Sequence, residues 1–261
     1  RLATALDEMM SQLESAFTER AEGRRRLEQF VADASHELRT PVAAIRGYAE
    51  LYRSGGIRPG EQLDRAMGRV EQESIRMGAL VDDLVTLARL DEQQPHERER
   101  VDLSALAEDA VNDLRAVDPS RPVTLEAARP VFVRGDERRL RQVLANLLTN
   151  ARVHTPANTP VHVGVDATDA DAVLVVRDEG PGIDAADRRR IFERFFRADR
   201  SRSRERGGSG LGLSIVAAVV AAHGGRVEVT GGPGAAFTVR LPREPDPAPG
   251  ADRARSVEVP G

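Results

Sequence analysis

Apolar residues recur along the N-terminal part of the chain at alternating steps of four and three. Leu6, Met10, Leu13 and Phe17 open the pattern, Arg20 and Arg24 interrupt it, and Leu27, Val31, Ala34 and Leu38 resume it in the same register. Ile45, Tyr48 and Tyr52 extend it. That spacing is one stripe of a helix, and a sustained heptad predicts a helix that pairs with another. The arginines at core-type positions mark a weak seam between two helical units. Pro41 falls inside the run, removes one backbone hydrogen bond and is expected to bend the helix there. Ser54-Gly55-Gly56 and Pro59-Gly60 bracket a turn. A second stripe follows on Leu63, Met67, Val70, Met77, Val81 and Leu84, widened by Leu80 and Leu87. Two helices with a short connection predict an antiparallel hairpin. A lone hairpin leaves apolar side chains wet, each worth ~1.5–3 kcal/mol when buried. Two copies are therefore expected to pair through residues 27–90 as a dimeric four-helix bundle.

Residues 91–100 are polar and lose the stripe, which reads as a linker. The pattern then changes to mixed strands and helices. Val101–Leu103 leads into a helix over 104–117, and Val123–Glu126 and Val131–Val133 read as short strands. Asp136 to His154 is a helix with Leu140, Val143, Leu144, Leu147 and Leu148 inward. Strands are expected at Val161–Val165, Val173–Arg177, Val227–Thr230 and Phe237–Leu241, with a helix at Leu211–His223 after a glycine-rich loop. This order predicts a two-layer α/β sandwich rather than regular βαβ alternation. From Pro242 onward the prolines predict a disordered tail.

Composition narrows the classes. The 261 residues exceed one ordinary domain, and they are 40% hydrophobic, 31% charged and 3% aromatic, with a formal charge of −4. Few aromatics and a negative charge argue against nucleic-acid binding. There is no Cys, hence no disulfide and no thiolate metal site, and no Lys, so every basic residue is Arg. No apolar run approaches the ~20 residues of a membrane helix, and no signal peptide is visible. The chain starts at Arg1 and inside a repeat, so it reads as a fragment of a longer protein.

Three groups of residues carry candidate chemistry. His36 lies between Ala34 and Leu38 and occupies the solvent-facing heptad position, where an imidazole can be a base, a ligand or a nucleophile. Asp178-Glu179-Gly180-Pro181-Gly182-Ile183 follows a strand, and Gly207-Gly208-Ser209-Gly210-Leu211-Gly212-Leu213 opens a helix. Glycines allow positive φ and close backbone approach, and a helix N-terminus offers free N–H groups to an anion. Either cluster alone is also an ordinary turn, and neither fits the Walker or Rossmann pattern. Asn146 and Asn150 share one helix face, where a neutral amide oxygen can ligate Mg²⁺ or simply meet solvent.

Together these residues resemble the cytoplasmic part of a membrane sensor histidine kinase of a two-component system. His36-Glu37-Leu38-Arg39-Thr40-Pro41 resembles its H box, Asn146–Asn150 its N box, and Asp178–Ile183 its G1 box. Ile191–Arg197 resembles its F box, Gly208–Leu213 its G2 box, and Gly231-Gly232-Pro233-Gly234 the closing glycine segment. The resemblance covers residues 24–241, and residues 1–23 resemble the end of a HAMP linker. It implies a helical hairpin for dimerisation and phosphotransfer at 24–90, a linker at 91–100, an ATP-binding domain at 101–242 and a disordered tail at 243–261.

The resemblance also implies roles. His36 is the phospho-acceptor that attacks the γ-phosphorus of ATP, and Glu37 accepts or orients the proton on its other ring nitrogen as general base. Asn150 binds Mg²⁺ with help from Asn146, and Asp178 accepts a hydrogen bond from the adenine amino group. Gly180, Gly182, Gly208, Gly210 and Gly212, with Ile183, Leu211 and Leu213, shape the nucleotide cleft and its lid. Thr40 is implied in the reverse, phosphatase direction. Implied partners are a second copy of the chain and the receiver domain of a response regulator, with the parent membrane-anchored upstream of residue 1.

One departure stands out. Relatives commonly carry Lys and then Tyr where this chain has Val153 and His154. Arg197, or the lid arginines Arg200, Arg202 and Arg204, are candidates to supply the missing cation, and His154 is a candidate nucleotide contact. The remaining histidines read as incidental: His96 in the linker, His162 in a strand, and His223 at a helix C-terminus, where positive charge suits the dipole. A zinc peptidase is excluded, because His-Glu-x-x-His needs a second His where Thr40 stands. Related ATPases of the topoisomerase and chaperone type lack the outward His on a dimerising hairpin. A nucleotide-binding scaffold and a dedicated phosphatase remain as alternatives.

Overall fold

The computed structural model describes residues 2–91, 98–197 and 209–245. The chain divides into two compact units, Arg1–Leu84 and Val85–Gly261.

The first unit is built on helix α1, Leu2–Arg53, and most of helix α2, Glu61–Asp91. The turn falls where the glycines predicted it. Gly55 and Gly60 take φ of 75° and 96°, which a residue with a Cβ adopts only under strain. The helix runs on through Pro41, and that ring is buried. Ala34, Ala66 and Leu80 are buried in the hairpin, with Leu38, Ile45, Tyr48, Leu63, Val70 and Met77 half-covered. Other members of the sequence stripes, Val31, Tyr52, Met67 and Val81, stay largely exposed, as do Val42 and Ile75. The apolar face is thus wider than one hairpin covers.

The second unit has strand β1 (Glu99–Asp102), helix α3 (Leu103–Val117), strands β2 (Val123–Glu126) and β3 (Phe132–Gly135), and helix α4 (Glu137–His154). Strands β4 (Val161–Ala167) and β5 (Asp171–Asp178), helix α5 (Gly212–Ala222), and strands β6 (Arg226–Gly232) and β7 (Gly234–Pro242) follow. The main sheet has the order β2-β4-β5-β7-β6, parallel only between β2 and β4. Strict alternation buries Val161, Val163 and Val165 on β4, Ala172, Leu174 and Val176 on β5, and Phe237, Val239 and Leu241 on β7. Helices α3, α4 and α5 cover that face with Leu106, Val111, Leu144, Leu147, Ile215 and Val219. The result is the two-layer α/β sandwich expected.

Caps fix the helix starts. Asp102 accepts from the backbone N–H of Ser104 and Ala105, and Asp136 from that of Arg139. Arg121, almost wholly buried, ties the end of α4 down. Its guanidinium donates to Thr155 Oγ1 (2.8 Å), the Thr159 carbonyl (3.0 Å), the carbonyls of Arg152 and Pro156, and Asp118 Oδ2 (2.9 Å). That guanidinium holds the Asp118 carboxyl below the usual carboxylate range.

Two boundaries differ from the sequence reading. Glu99 and Arg100, expected in the linker, pair as strand β1 with Gly135 and Arg134 of β3. Arg243 and Glu244, expected in a disordered tail, are held by long-range backbone bonds. Arg243 N–H donates to Ala170 O (2.9 Å), Glu244 N–H to Phe132 O (2.8 Å), and Arg243 bridges Val133. His96 and residues 246–261 lie outside the described residues. Among the described residues, no helix is long and apolar enough to cross a membrane.

Phe237 is 1% exposed and meets Phe192 edge-on at 6.4 Å. Phe237→Ala should therefore lower unfolding free energy by about 3–5 kcal/mol, read by urea denaturation.

Candidate functional site

Strand β5 ends on Asp178, a carboxylate only 5% exposed. Burial of a charge is costly unless hydrogen bonds replace water. Asp178 Oδ1 accepts from the backbone N–H of Gly180 (2.9 Å), just past the strand, and from that of Ala235 (3.3 Å), at the start of β7. Both bonds fall on one oxygen. The glycines around it are there for space. A Cβ on Gly180 would lie 2.6 Å from Thr155 Cγ2 and 2.8 Å from Asp178 Oδ1. Gly182 takes φ 80°, and a Cβ there would lie 2.8 Å from the Gly232 carbonyl oxygen. Gly234 takes φ 93°, and its Cβ would overlap the Asp178 carbonyl oxygen.

Helices α4 and α5 form the second wall. Asn146 donates from Nδ2 to the Gly212 carbonyl (3.2 Å), placing the start of α5 against the asparagine face of α4. A Cβ on Gly212 would sit 3.7 Å from the Asn146 amide, so the helices approach closely here. Asn150 is half-buried one turn further on, and its side chain has no hydrogen-bond partner among the described residues. Before α5, Gly210 takes φ 74° and its carbonyl accepts from Phe195 N–H (3.0 Å); Phe195 itself takes φ 59°. Leu211 is fully buried, Ile183, Leu213 and Arg197 are half-buried, and His154 is exposed at the end of α4 beside the half-buried Val153. Arg190 stacks over Phe196 at 4.5 Å. Gly208, Arg200, Arg202 and Arg204 lie outside the described residues.

In the first unit, His36 is exposed on α1. Thr40, one turn on, donates its hydroxyl to the His36 carbonyl at 3.3 Å. Glu37 is half-buried, and its carboxylate stands 3.8 Å from the Arg76 guanidinium of α2.

The structure thus groups Asp178, Gly180 and Gly182 at the end of β5, and Asn146 with Gly212 where α4 meets α5, with Gly210 just before α5. Several contributors were not singled out from the sequence. Thr155 packs its methyl on Gly180 while its hydroxyl binds Ala151 O (2.6 Å), and Ala235 offers its N–H to Asp178. A Thr-Pro directly after a helix is the available signal for the first; the second acts only through backbone. His223 is a correction. It is 7% exposed, and burial pushes its pKa below the ordinary value, so it is neutral rather than a charged partner of the helix dipole.

Residues 26–93 match the His Kinase A (phospho-acceptor) domain family, and residues 135–245 the histidine kinase-, DNA gyrase B- and HSP90-like ATPase family. The probable sensor histidine kinase TcrY of Mycobacterium tuberculosis is 49% identical over 93% of this chain and 51% of its own length. The solved mycobacterial sensor histidine kinase MprB is 34% identical, with TM-score 0.51 over 57% of this chain and 99% of that one. Acinetobacter baumannii histidine kinase AdeS is 28% identical, with TM-score 0.63 over 80% of this chain and 98% of that one. The chain spans about half the length of TcrY and of a second relative, TrcS of the same species.

The glycine geometry makes a paired test. Gly234→Ala should cost about 1–3 kcal/mol in backbone strain and displace Asp178, seen as a lower melting temperature and lost ATP binding. Gly232→Ala, whose added Cβ meets nothing within 4 Å, should change neither. With its phospho-acceptor hairpin and ATPase-type sandwich on one polypeptide, the chain belongs to the sensor histidine kinases.

Proposed function

We propose that this chain uses ATP to phosphorylate His36 within a homodimer and then passes the phosphoryl group to an aspartate of a response-regulator receiver domain. The observation that carries this reading is an outward imidazole on a dimerisation-type helix, in a chain that also holds a buried, backbone-bonded carboxylate framed by glycines. In the transfer, a ring nitrogen of His36 forms a bond to the γ-phosphorus, the bond to the β–γ bridging oxygen breaks, and ADP leaves. Glu37 takes or orients the proton on the other ring nitrogen.

Asp178 faces the adenine. With Oδ1 occupied by two backbone N–H groups, Oδ2 is the oxygen for the exocyclic amine, a charged-acceptor bond worth roughly 1.5–3 kcal/mol that guanine does not offer. The donor set at α4 suits Mg²⁺. Asn150 offers an uncommitted amide oxygen and Asn146 has its Nδ2 committed to Gly212, so its oxygen is the remaining donor on the same face. The ion would neutralise charge on the phosphates. Gly180, Gly182, Gly210, Gly212, Ile183, Leu211 and Leu213 shape the cleft around the nucleotide, and His154 lies at its rim. Arg197 is the candidate cation toward the γ-phosphate, replacing the lysine that Val153 lacks.

The apolar residues left exposed on the hairpin, Val31, Val42, Met67, Ile75 and Val81, support pairing with a second copy. Thr40, on nearly the same face as His36, suits a reverse phosphatase reaction on the regulator. On the resemblance alone, the parent protein is anchored in a membrane and this portion lies in the cytoplasm. The domain limits proposed are 24–90 for the phosphotransfer hairpin and, with β1 and Glu244 included, 99–244 for the ATP-binding domain.

Incubation with γ-labelled ATP and Mg²⁺ should give an acid-labile, base-stable label that His36→Gln abolishes while ATP binding persists. No label in the wild type would favour a nucleotide-binding scaffold. Arg197→Ala should raise the KM for ATP or slow labelling; unchanged values of both would remove it from the site. Light scattering at micromolar concentration should give a dimer mass, and a monomer would contradict the pairing.

A further inference from the structure

We propose that His223 is a positioning residue for the nucleotide site: a buried, neutral imidazole strut that pins the end of α5 to the start of α4 and lets go when protonated. Its Nδ1 lies 2.7 Å from the Val219 carbonyl, which only accepts, so Nδ1 carries the proton. Its Nε2 is then a lone pair, and it accepts the backbone N–H of Asp136 at 3.0 Å. Asp136 is the N-cap of α4. The neighbouring residue is glycine for the same reason, since a Cβ on Gly135 would lie 2.6 Å from His223 Cδ2 and 2.8 Å from Nε2.

The strut has a counterpart. Along the antiparallel pair of α4 and α5, Asn146 joins the start of α5 at Gly212, while His223 joins its end to Asp136. Ten residues of α4 separate the two bonds, about 15 Å of helix. Arg121 holds the exit of α4, so release of the strut frees the start of the helix while its exit stays fixed, and the segment between, which carries Asn146 and Asn150, changes its tilt against α5. The strut thus sets the asparagine face without touching nucleotide.

Protonation removes the lone pair and turns Nε2 into a second donor facing the Asp136 N–H. The charged groups that face the ring are Arg98, whose guanidinium donates to Ala222 O at 2.7 Å, and Asp136 and Arg139 at the start of α4. Burial opposes protonation most strongly, the Val219 carbonyl and Asp136 favour it, and Arg98 and Arg139 oppose it. The folded pKa lies below 6.5, so the unfolded chain binds more protons between the two values. The stabilisation is complete above 6.5 and is lost as pH falls below it.

This inference rests on the reading of α4 and α5 as walls of the nucleotide site, and one experiment separates the two. In the whole chain, calorimetric affinity for the ATP analogue AMPPNP with Mg²⁺ is compared at about pH 8 and at successively lower pH for as long as the chain stays folded. Wild type, His223→Gln, which keeps an acceptor but does not titrate, and His223→Leu are tested. Hydrogen exchange of the first α4 amides is measured on the same samples without nucleotide. Wild type should lose affinity on acidification, and His223→Gln should lose less. His223→Leu should bind about three- to tenfold more weakly at the higher pH with faster exchange at Asp136. The proposal is overturned if His223→Leu binds as wild type does, or if His223→Gln keeps the full acid loss. It is equally overturned if exchange at Asp136 is the same in all three. Should no variant bind AMPPNP while exchange still differs, the site reading fails and with it the positioning role, leaving a structural strut.

Discussion

The nucleotide half of this molecule depends on a buried carboxylate at the end of β5. The Asp178 carboxylate is almost wholly out of water, and two backbone N–H groups from separate segments replace its hydration. Charge-assisted bonds of this kind are about twice as strong as neutral ones. They also impose geometry. To reach Oδ1, the chain must turn at Gly180 and β7 must begin hard against the Asp178 carbonyl, which leaves no room for a Cβ at Gly234. The register of β7 on β5, with Arg177 opposite Ala236, follows from the same closure.

The opposite wall is set by helix pairing. Asn146 and Gly212 bring α4 and α5 together at one end, and the buried His223 ties them at the other. Arg121 holds the exit of α4, where Thr155 presses its methyl on Gly180. The sandwich therefore carries its asparagines and its carboxylate on helices and strands fixed at several points.

Much of this was legible in the sequence, for physical reasons. Strands β4, β5 and β7 each bury one face, so their two-residue period shows directly. Helix α4 announces itself by its 3.6-residue apolar stripe, and the structure shows Asp102 and Asp136 as the caps of α3 and α4. Strand β1 did not show, because Glu99 and Arg100 are exposed in a two-stranded ribbon and only long-range pairing defines them. Arg243 and Glu244 escaped for the same reason, being held by backbone bonds to distant residues. In the hairpin, the heptad marked apolar positions but not which partner covers them: Ala34 is buried within the chain while Val31 is not. His223 reads from the sequence as an incidental histidine at a helix end, since burial by Gly135 and α4 leaves no local trace. The site residues lie in recognisable motifs, whereas Ala235 works through its backbone and carries no side-chain signal.

The proposed recognition of adenine by Asp178 is tested most directly by nucleotide titration in a calorimeter. Wild type should bind ATP about tenfold or more tightly than GTP, and Asp178→Asn, with its melting temperature retained, should lose about tenfold or more in ATP affinity. Equal affinity of the wild type for ATP and GTP, or undiminished ATP binding by folded Asp178→Asn, would contradict it.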